Sequence, residues 1–502
     1  MRRNGASRRA GATVRMHRRG RRRPRWGDQL GGAPRLRLLA LSLPVAIAAW
    51  VAMPVPTLSA SVPPPDRPTA RAGLPWLSTR DGAIVASSGE AVMLHGFDDE
   101  NLLPRSQTVS PAPLDATDAR LMQESGFDVV RLPIAWSELE PEPGEFNSAY
   151  LERIAAAVAL LNAHRLYVVL DMHFLAWSPV YGGAGAPAWA TLGWVPDFKF
   201  GQSGNTVLRL ASPALNASEA YFFLTSGWQS QLLRTWQFVA QRFRGDSGVA
   251  GYDIFNEAHS FPLLPLSFDR DQLFPFYARA VTAIAAVDPN HLFFLENDAL
   301  DDLPTAVVPI KAPDIVYSPH VYTGVLSPAL GGEPQALDTH VAELAGEAAQ
   351  LSAPMWVGEF GDGSNHPSAA QWITDALDAY DAHDAGWAWW QWRGVNDPWS
   401  LRSATGTSLN VTFLRLLARP YLAAAPRGVS ASAGDGVLGR LDISVAARHA
   451  TGVIEVAWSE YTLGQPSVAS SCGATSSWDA SDARLLLTVP ADGTCSIQLA
   501  AG

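Results

Sequence analysis

From residue 92 onward, short unbroken apolar runs alternate with longer segments in which apolar positions recur every three or four residues. The short runs occupy 92–96, 127–133, 166–173, 251–257, 291–295, 315–321, 354–360 and 386–392. Unbroken apolar character at strand length predicts strands buried on both faces, as a parallel sheet requires. The longer segments read as helices over 115–124, 150–163, 226–244, 273–287, 341–351 and 369–383, with stripes such as Leu151, Ile154, Val158 and Leu161. Eight strands separated by helices predict an α/β chain folded as a (β/α)8 TIM barrel. One excursion, 174–221, is rich in Gly, Pro and aromatic residues, and a loop that long in a compact domain is a lid or a binding wall.

From about residue 427 the texture changes. The runs 441–445, 453–458 and 484–489, with turn residues between them, predict a small C-terminal antiparallel β-sandwich. The expected organisation is an export segment over 1–60, a linker over 61–75 containing Pro63, Pro64 and Pro65, a catalytic barrel over 76–425 and a sandwich over 426–502. No repeat of 20 to 50 residues is evident, which sets solenoids and propellers aside.

Composition sharpens this picture in three places. The net charge of −11 is unevenly spread: residues 1–60 hold 13 Arg against one Asp, so the remainder carries −23. So acidic a body excludes nucleic acid as its partner. The arginine-rich start followed by the apolar run 38–53 and Leu58-Ser59-Ala60 has the order of a secretory signal, predicting a secreted protein; a retained membrane anchor is the alternative, and Met16 is an alternative start. The only two cysteines, Cys472 and Cys495, are expected to form a disulfide in an exported chain. Without clustered Cys or His, no metal and no cofactor is called for.

Two strand ends carry the candidate chemistry. The run 251–257 ends in Asn256-Glu257 and the run 354–360 ends in Glu359-Phe360. A carboxylate closing a buried strand suffers a desolvation penalty, and in barrels the carboxyl ends of the strands are where active sites lie. Two such glutamates are what retaining glycoside hydrolysis needs, one as acid/base and one as nucleophile. On that reading Glu257 is the acid/base and Glu359 the nucleophile. The other strand-end residues form the substrate-binding set: Arg131 and Tyr322 hold Glu359, Asn256 takes the sugar 2-hydroxyl, His173 and His320 shape the hydrogen bonding, and Trp390 provides an apolar floor.

These residues resemble glycoside hydrolase family 5, in which Asn-Glu closes strand four and Glu closes strand seven. Val130-Arg131-Leu132 with Trp136, Glu140-Pro141-Glu142-Pro143-Gly144, Leu170-Asp171-Met172-His173, Gly185-Ala186-Pro187-Ala188-Trp189-Ala190, Gly358-Glu359-Phe360-Gly361 and Arg419-Pro420-Tyr421 are similar to its endoglycoceramidase subgroup. The resemblance implies hydrolysis of the glycan-ceramide bond by a monomer, with a glycolipid or other β-glycoside substrate and peripheral contact with a membrane or micelle. A polysaccharide endohydrolase of β-glucanase or β-mannanase type is the alternative enzyme, and a non-catalytic carbohydrate- or lipid-binding barrel is the alternative from another class. Two departures bear on the sugar. Where the subgroup follows Met-His with Gln-Asp this chain has Phe174-Leu175, and where its first-strand loop offers Lys this chain has Asp98, Asp99, Glu100 and Asn101. An apolar channel is expected from Phe174, Leu175, Trp177, Trp189, Trp194, Phe198, Phe200 and Tyr221, with Phe261, Leu263, Leu264 and Leu266 opposite; lid packing is the alternative.

Overall fold

The computed structural model describes residues 73–104, 113–197, 212–259, 267–299, 306–322, 336–394, 398–435, 438–446, 452–480, 482–490 and 493–502. The expected export segment, most of the linker, and Phe198, Phe200, Phe261, Leu263, Leu264 and Leu266 lie outside them. Among the described residues no helix is long and apolar enough to cross a membrane.

Three short strands, β1 (Leu77–Arg80), β2 (Ala83–Ala86) and β3 (Ala91–Val92), precede the barrel. The barrel strands are β4 (His95–Asp98), β5 (Val129–Ile134), β6 (Tyr167–Met172), β7 (Val249–Asp253), β8 (Leu292–Leu295), β9 (Ile315–Tyr317), β10 (His320–Val321), β11 (Trp356–Phe360) and β12 (Gly386–Trp389). Hydrogen bonding runs β10-β11-β12-β4-β5-β6-β7-β8-β9, every neighbouring pair parallel. The circle closes because β9 and β10 are two halves of one strand, and Tyr317 also donates its amide to Pro354 O at 2.9 Å. The break falls at Ser318-Pro319, where proline has no N–H to give the ladder. The expected run 315–321 is therefore one strand position made of two pieces.

Alternation decides which side chains fill the barrel. Val129, Tyr167, Val169, Leu292, Phe294, Val316 and Trp356 form one buried cluster, while Val130, Leu132, Val168, Leu170, Phe293 and Leu295 join the cluster that holds the helices to the sheet. The inner residues next in line toward the carboxyl ends are Arg131, Asp171 and Glu296, so the barrel interior turns from apolar to charged within one layer. The helices Ser148–Asn162, Gly227–Phe243 and Ala369–Asp381 bury the stripes read from the sequence, including Ile154, Trp236 and Leu377.

The first strand differs from expectation. It runs His95–Asp98 rather than 92–96, and Val92 instead pairs with Ile84 and Ala424. All four β4 residues are buried, whereas Ala91 is exposed and Val92 only half-buried, which suits an antiparallel sheet with one face toward solvent and not a barrel stave. Strand four likewise ends at Asp253, and the last strand at Trp389, leaving Asn256, Glu257 and Trp390 on the turns beyond.

After the two-residue strands β13 (Arg393–Gly394) and β14 (Arg402–Ser403), the chain enters β15 (Tyr421–Ala425), β16 (Val429–Asp435), β17 (Arg440–Val445), β18 (Val453–Ala457), β19 (Pro466–Ser470), β20 (Thr475–Asp479), β21 (Arg484–Thr488) and β22 (Cys495–Ala501). They form two antiparallel sheets, β1-β2-β3-β15-β18-β21-β20 and β16-β17-β22-β19, around Leu441, Ile443, Val456, Trp458, Leu487, Ile497 and Leu499. The first sheet crosses the 425/426 boundary expected from sequence: it takes β1 to β3 and β15 from the segment assigned to the barrel. Cys472 and Cys495 are bonded, with Cα atoms 5.3 Å apart. At the junction Asp128 accepts from Tyr421 OH at 2.9 Å and pairs with Arg484 at 3.2 Å, so Tyr421 of Arg419-Pro420-Tyr421 ties the sandwich to the barrel floor.

Candidate active site

Arg131 stands at the centre of the charged layer, with no side-chain exposure. Its guanidinium meets carboxylates carried by or just beyond five other barrel strands: Asp98 at 3.0 Å, Asp171 at 3.2 Å, Asp253 at 2.9 Å, Glu296 at 3.1 Å and Glu359 at 2.5 Å. It also donates to Asn256 Oδ1 at 2.8 Å. Burial by itself lowers the Arg131 pKa, but Asp171, Asp253, Glu359 and Asp98 more than reverse this and hold it well above its ordinary value. So many carboxylates around one cation are not all stabilised as anions: burial pushes Asp98 and Asp253 well above the usual carboxylate range, with Arg131 opposing.

Glu359 reaches this layer through an irregularity in β11. Val357 and Phe360 both face the helices although they are three apart, and the register against β12 shifts between them. The extra residue turns Glu359 inward. Gly358 suits the crowding there, because a Cβ on it would lie 2.6 Å from Ser318 Oγ and 3.2 Å from the His320 ring, so one of those side chains would have to shift. Glu359 accepts from Arg131 Nη1 on one oxygen and from Tyr322 OH at 2.8 Å on the other. Burial is the largest influence on it and raises its pKa; His320 and Arg131 pull it back down, and Glu257 adds to the rise. Burial together with Glu359 and Glu257 drives the Tyr322 phenol well above its ordinary value, so it remains a donor.

Glu257 sits in the turn after β7 with φ of 48°, a left-handed conformation uncommon for a residue with a Cβ. Its side chain is about a third exposed, at 35%, while that of Glu359 is 5% exposed. His320 lies between them, with Nδ1 3.2 Å from Glu257 Oε1 and 3.6 Å from Glu359 Oε2. One oxygen of each glutamate and one His320 nitrogen all fall within 4.8 Å of one another. Such a trio has the spacing of a cation site, but the guanidinium 2.5 Å from Glu359 opposes a metal ion there. Burial lowers the His320 pKa, and Glu296 and Glu359 outweigh it, holding the ring well above its ordinary value.

Asn256, on the same turn, is held at both ends: its Oδ1 accepts from Arg131 and its amide donates to Phe174 O at 2.9 Å, which leaves one amide hydrogen for a ligand. His173 donates or accepts through Nδ1 at 2.8 Å from Asp171 and stacks on Trp390, ring centres 5.5 Å apart and 11° from parallel. All eight residues picked from the strand ends thus converge on one mouth. Sequence reasoning passed over Glu296, Asp171 and Asp253. Glu296 carried the same signal as the chosen pair, a carboxylate closing the apolar run 291–295.

The two departures have structural outcomes. Phe174 does not face a sugar; its ring stacks on Phe255 at 4.0 Å and packs with Trp177, both rings at most 5% exposed. For these two residues lid packing, not a channel, is the outcome. Trp194 at 79% and Tyr221 at 41% exposure remain on the surface. In the first-strand loop, Asp98 is spent on Arg131, Asp99 accepts from the Asn101 amide, and Glu100 accepts from Gln391 Nε2 at 2.8 Å beside Trp390.

The model of the cellulase family, glycosyl hydrolase family 5, matches residues 86–396, a span that takes in every barrel strand from β4 to β12. The chain belongs to glycosyl hydrolase family 5. Endoglycoceramidase I of Rhodococcus hoagii (strain 103S) is 28% identical over 313 residues, covering 56% of this chain and 61% of that protein, so the chain spans about three fifths of the length of this curated relative. A solved endogalactoceramidase is 29% identical, with a TM-score of 0.72, covering 86% of this chain and 100% of that one. Endo-glycoceramidase II from Rhodococcus sp., solved as a ganglioside GM3 complex, shares the fold at 24% identity and a TM-score of 0.71, over 84% of this chain and 100% of its own.

Proposed function

We propose that this family 5 protein is a secreted retaining β-glycosidase that splits the bond between glycan and ceramide. One observation carries the reading: carboxylate oxygens of Glu257 and Glu359 lie within 4.8 Å of each other. Retaining enzymes hold the pair about 5 Å apart, whereas inverting enzymes leave about 6.5 to 9.5 Å for a water.

In the first step Glu257 gives its proton to the glycosidic oxygen as the bond from that oxygen to the anomeric carbon breaks. Glu359 attacks the same carbon from the opposite face, forming a glycosyl ester and releasing ceramide as the alcohol. The Glu257 carboxylate then takes a proton from water, which attacks the anomeric carbon, frees Glu359 and leaves the sugar with its original configuration. Arg131 and Tyr322 hold Glu359 ionised and aimed. The remaining Asn256 amide hydrogen meets the sugar 2-hydroxyl, a bond that tightens as positive charge develops on the ring. The Trp390 face, backed by His173, carries the apolar side of the sugar. The ceramide part of the proposal is supported by the relatives named as an endoglycoceramidase and an endogalactoceramidase. Exposed Trp194 and Tyr221 support contact with a micelle or membrane, and the basic and apolar residues 1–60 support export.

The test is incubation with detergent-dispersed galactosyl-, glucosyl- and lactosylceramide, alongside β-glucan and mannan, with both products weighed by mass spectrometry. Intact sugar and free ceramide are expected. Cleavage of glucan or mannan with no lipid turned over would remove the ceramide from the account. Glu359→Gly should be inactive and regain turnover of an activated aryl glycoside in azide, which substitutes for the missing nucleophile.

A further inference from the structure

Glu296 follows the last residue of β8, and its side chain is 3% exposed. One oxygen, Oε1, faces Arg131 Nη2 at 3.1 Å and His320 Nε2 at 3.2 Å, the latter an ionic contact off the line of a hydrogen bond. The other, Oε2, accepts from the Glu257 backbone N–H at 2.7 Å. The bond to the Glu257 amide therefore secures the residue whose φ is 48°. A left-handed residue with a Cβ persists where its surroundings over-determine it.

The His320 ring faces carboxylate oxygens on both sides: Glu296 at Nε2, and Glu257 and Glu359 at Nδ1. A neutral imidazole carries one N–H and would turn a lone pair toward one of these carboxylates, whereas an imidazolium presents a hydrogen to each. Glu296 is the counter-charge on the side away from the reacting pair. The upward direction of the His320 pKa, to which Glu296 contributes most among its charged neighbours, agrees with this.

We propose that Glu296 is a positioning residue for acid catalysis: through the Glu257 amide it aims that carboxyl, and through His320 it keeps a cation beside it. When Glu257 Oε–H breaks and its proton passes to the leaving oxygen, the carboxylate left behind lies against the His320 N–H. The stabilisation grows with the charge, so it acts on turnover and not on binding. The inference rests on the reading of Glu257 as the acid/base. The competing role is passive, one more anion neutralising Arg131.

Glu296→Gln keeps an acceptor for the Glu257 amide and removes the charge. The probes are the 2,4-dinitrophenyl and phenyl β-glycosides of the head sugar released in the ceramide panel. Dinitrophenolate departs without a proton and phenolate needs one. The ratio of kcat/KM on the two is independent of the amount of folded enzyme, so partial misfolding cancels. General acid catalysis is worth about a hundredfold or more, and the variant is expected to lose about tenfold in the phenyl-to-dinitrophenyl ratio. The basic limb of the phenyl profile should also move to lower pH, because without the Glu296 charge His320 loses its proton earlier and the cation beside Glu257 is gone. An equal loss on both substrates with an unmoved basic limb would overturn the proposal. Glu296→Asp keeps the charge on a shorter stem, and its ratio should fall between the two; if Glu296→Gln yields no folded enzyme, an unchanged ratio in Glu296→Asp overturns the proposal. Glu257→Gln is the reference. Failure of that variant to show steep leaving-group dependence would mean that the acid/base reading itself is wrong, whereas a steep Glu257→Gln beside a wild-type Glu296→Gln removes only the role of Glu296.

Discussion

Tyr322→Phe removes one oxygen and nothing else, and its consequence can be worked from the site. The phenol donates to Glu359 Oε2 at 2.8 Å, and the other Glu359 oxygen is occupied by Arg131. A hydrogen bond to an ionised group is worth about 1.5 to 3 kcal/mol. The phenol O–H donates to the carboxylate and gains far less from the neutral acid, so its loss disfavours the charged form and raises the Glu359 pKa. One pKa unit corresponds to about 1.4 kcal/mol, which makes the expected rise about 1 to 2 units. Burial already holds Glu359 above the usual carboxylate range, so the variant moves further in that direction. On the proposed mechanism Glu359 must be ionised to attack, and activity is lost as pH falls through its pKa. The acidic limb of the kcat/KM profile on an activated aryl glycoside should therefore shift upward by about 1 to 2 pH units. Rates above the shifted limb should approach those of the parent more closely than rates below it. A uniform loss at every pH, with the limb unmoved, would show that Tyr322 does not stabilise the carboxylate and that the reasoning is wrong.

Three other outcomes follow from the same structure. Arg131→Met leaves Asp98, Asp171, Asp253, Glu296 and Glu359 without their shared cation, and breaking a buried ion cluster costs about 3 to 5 kcal/mol. Carboxyl pKa values raised in the folded state give stability that is present at low pH and lost as pH rises through them, so urea unfolding should show a larger deficit at alkaline than at acid pH; equal deficits would contradict the cluster electrostatics. Gly358→Ala drives a methyl group toward Ser318 and His320, so it should lower kcat and cost about 1 to 3 kcal/mol, both readable from kinetics and thermal unfolding. Replacing Cys472 and Cys495 by Ala opens a bridge of sequence separation 23 and should destabilise the sandwich by about 3 kcal/mol, an effect reproduced by reductant on the parent; an unchanged unfolding midpoint would mean the bridge is dispensable.

The alternation of apolar runs with helical stripes was enough to place eight strands, because a parallel barrel buries each strand on both faces and leaves that mark locally. The same local mark located Glu257 and Glu359, since a carboxylate ending an apolar run stands out in the chain itself, and it would have found Glu296 had the rule been applied to the run 291–295. Strand limits were less legible. Val92 and His95 are both apolar-flanked, and only the pairing of Val92 with Ala424 and of His95 with Trp387 divides sandwich strand from barrel stave.

What tertiary structure alone decided is which charges share a centre. Asp98, Asp171, Asp253, Glu296 and Glu359 are spread over more than half the chain, and no local pattern says that all five close on Arg131. The inward turn of Glu359 depends on a register shift against β12, and the ionic state of His320 depends on three carboxylates from other strands. The fate of Phe174 was equally hidden, because whether an aromatic ring lines a site or packs a lid is settled by Phe255 and Trp177 lying beside it. Sequence determines where along a strand a group sits, through a period of two set by the backbone. Coulomb energy and desolvation depend on distances through space, and only closing the barrel sets those.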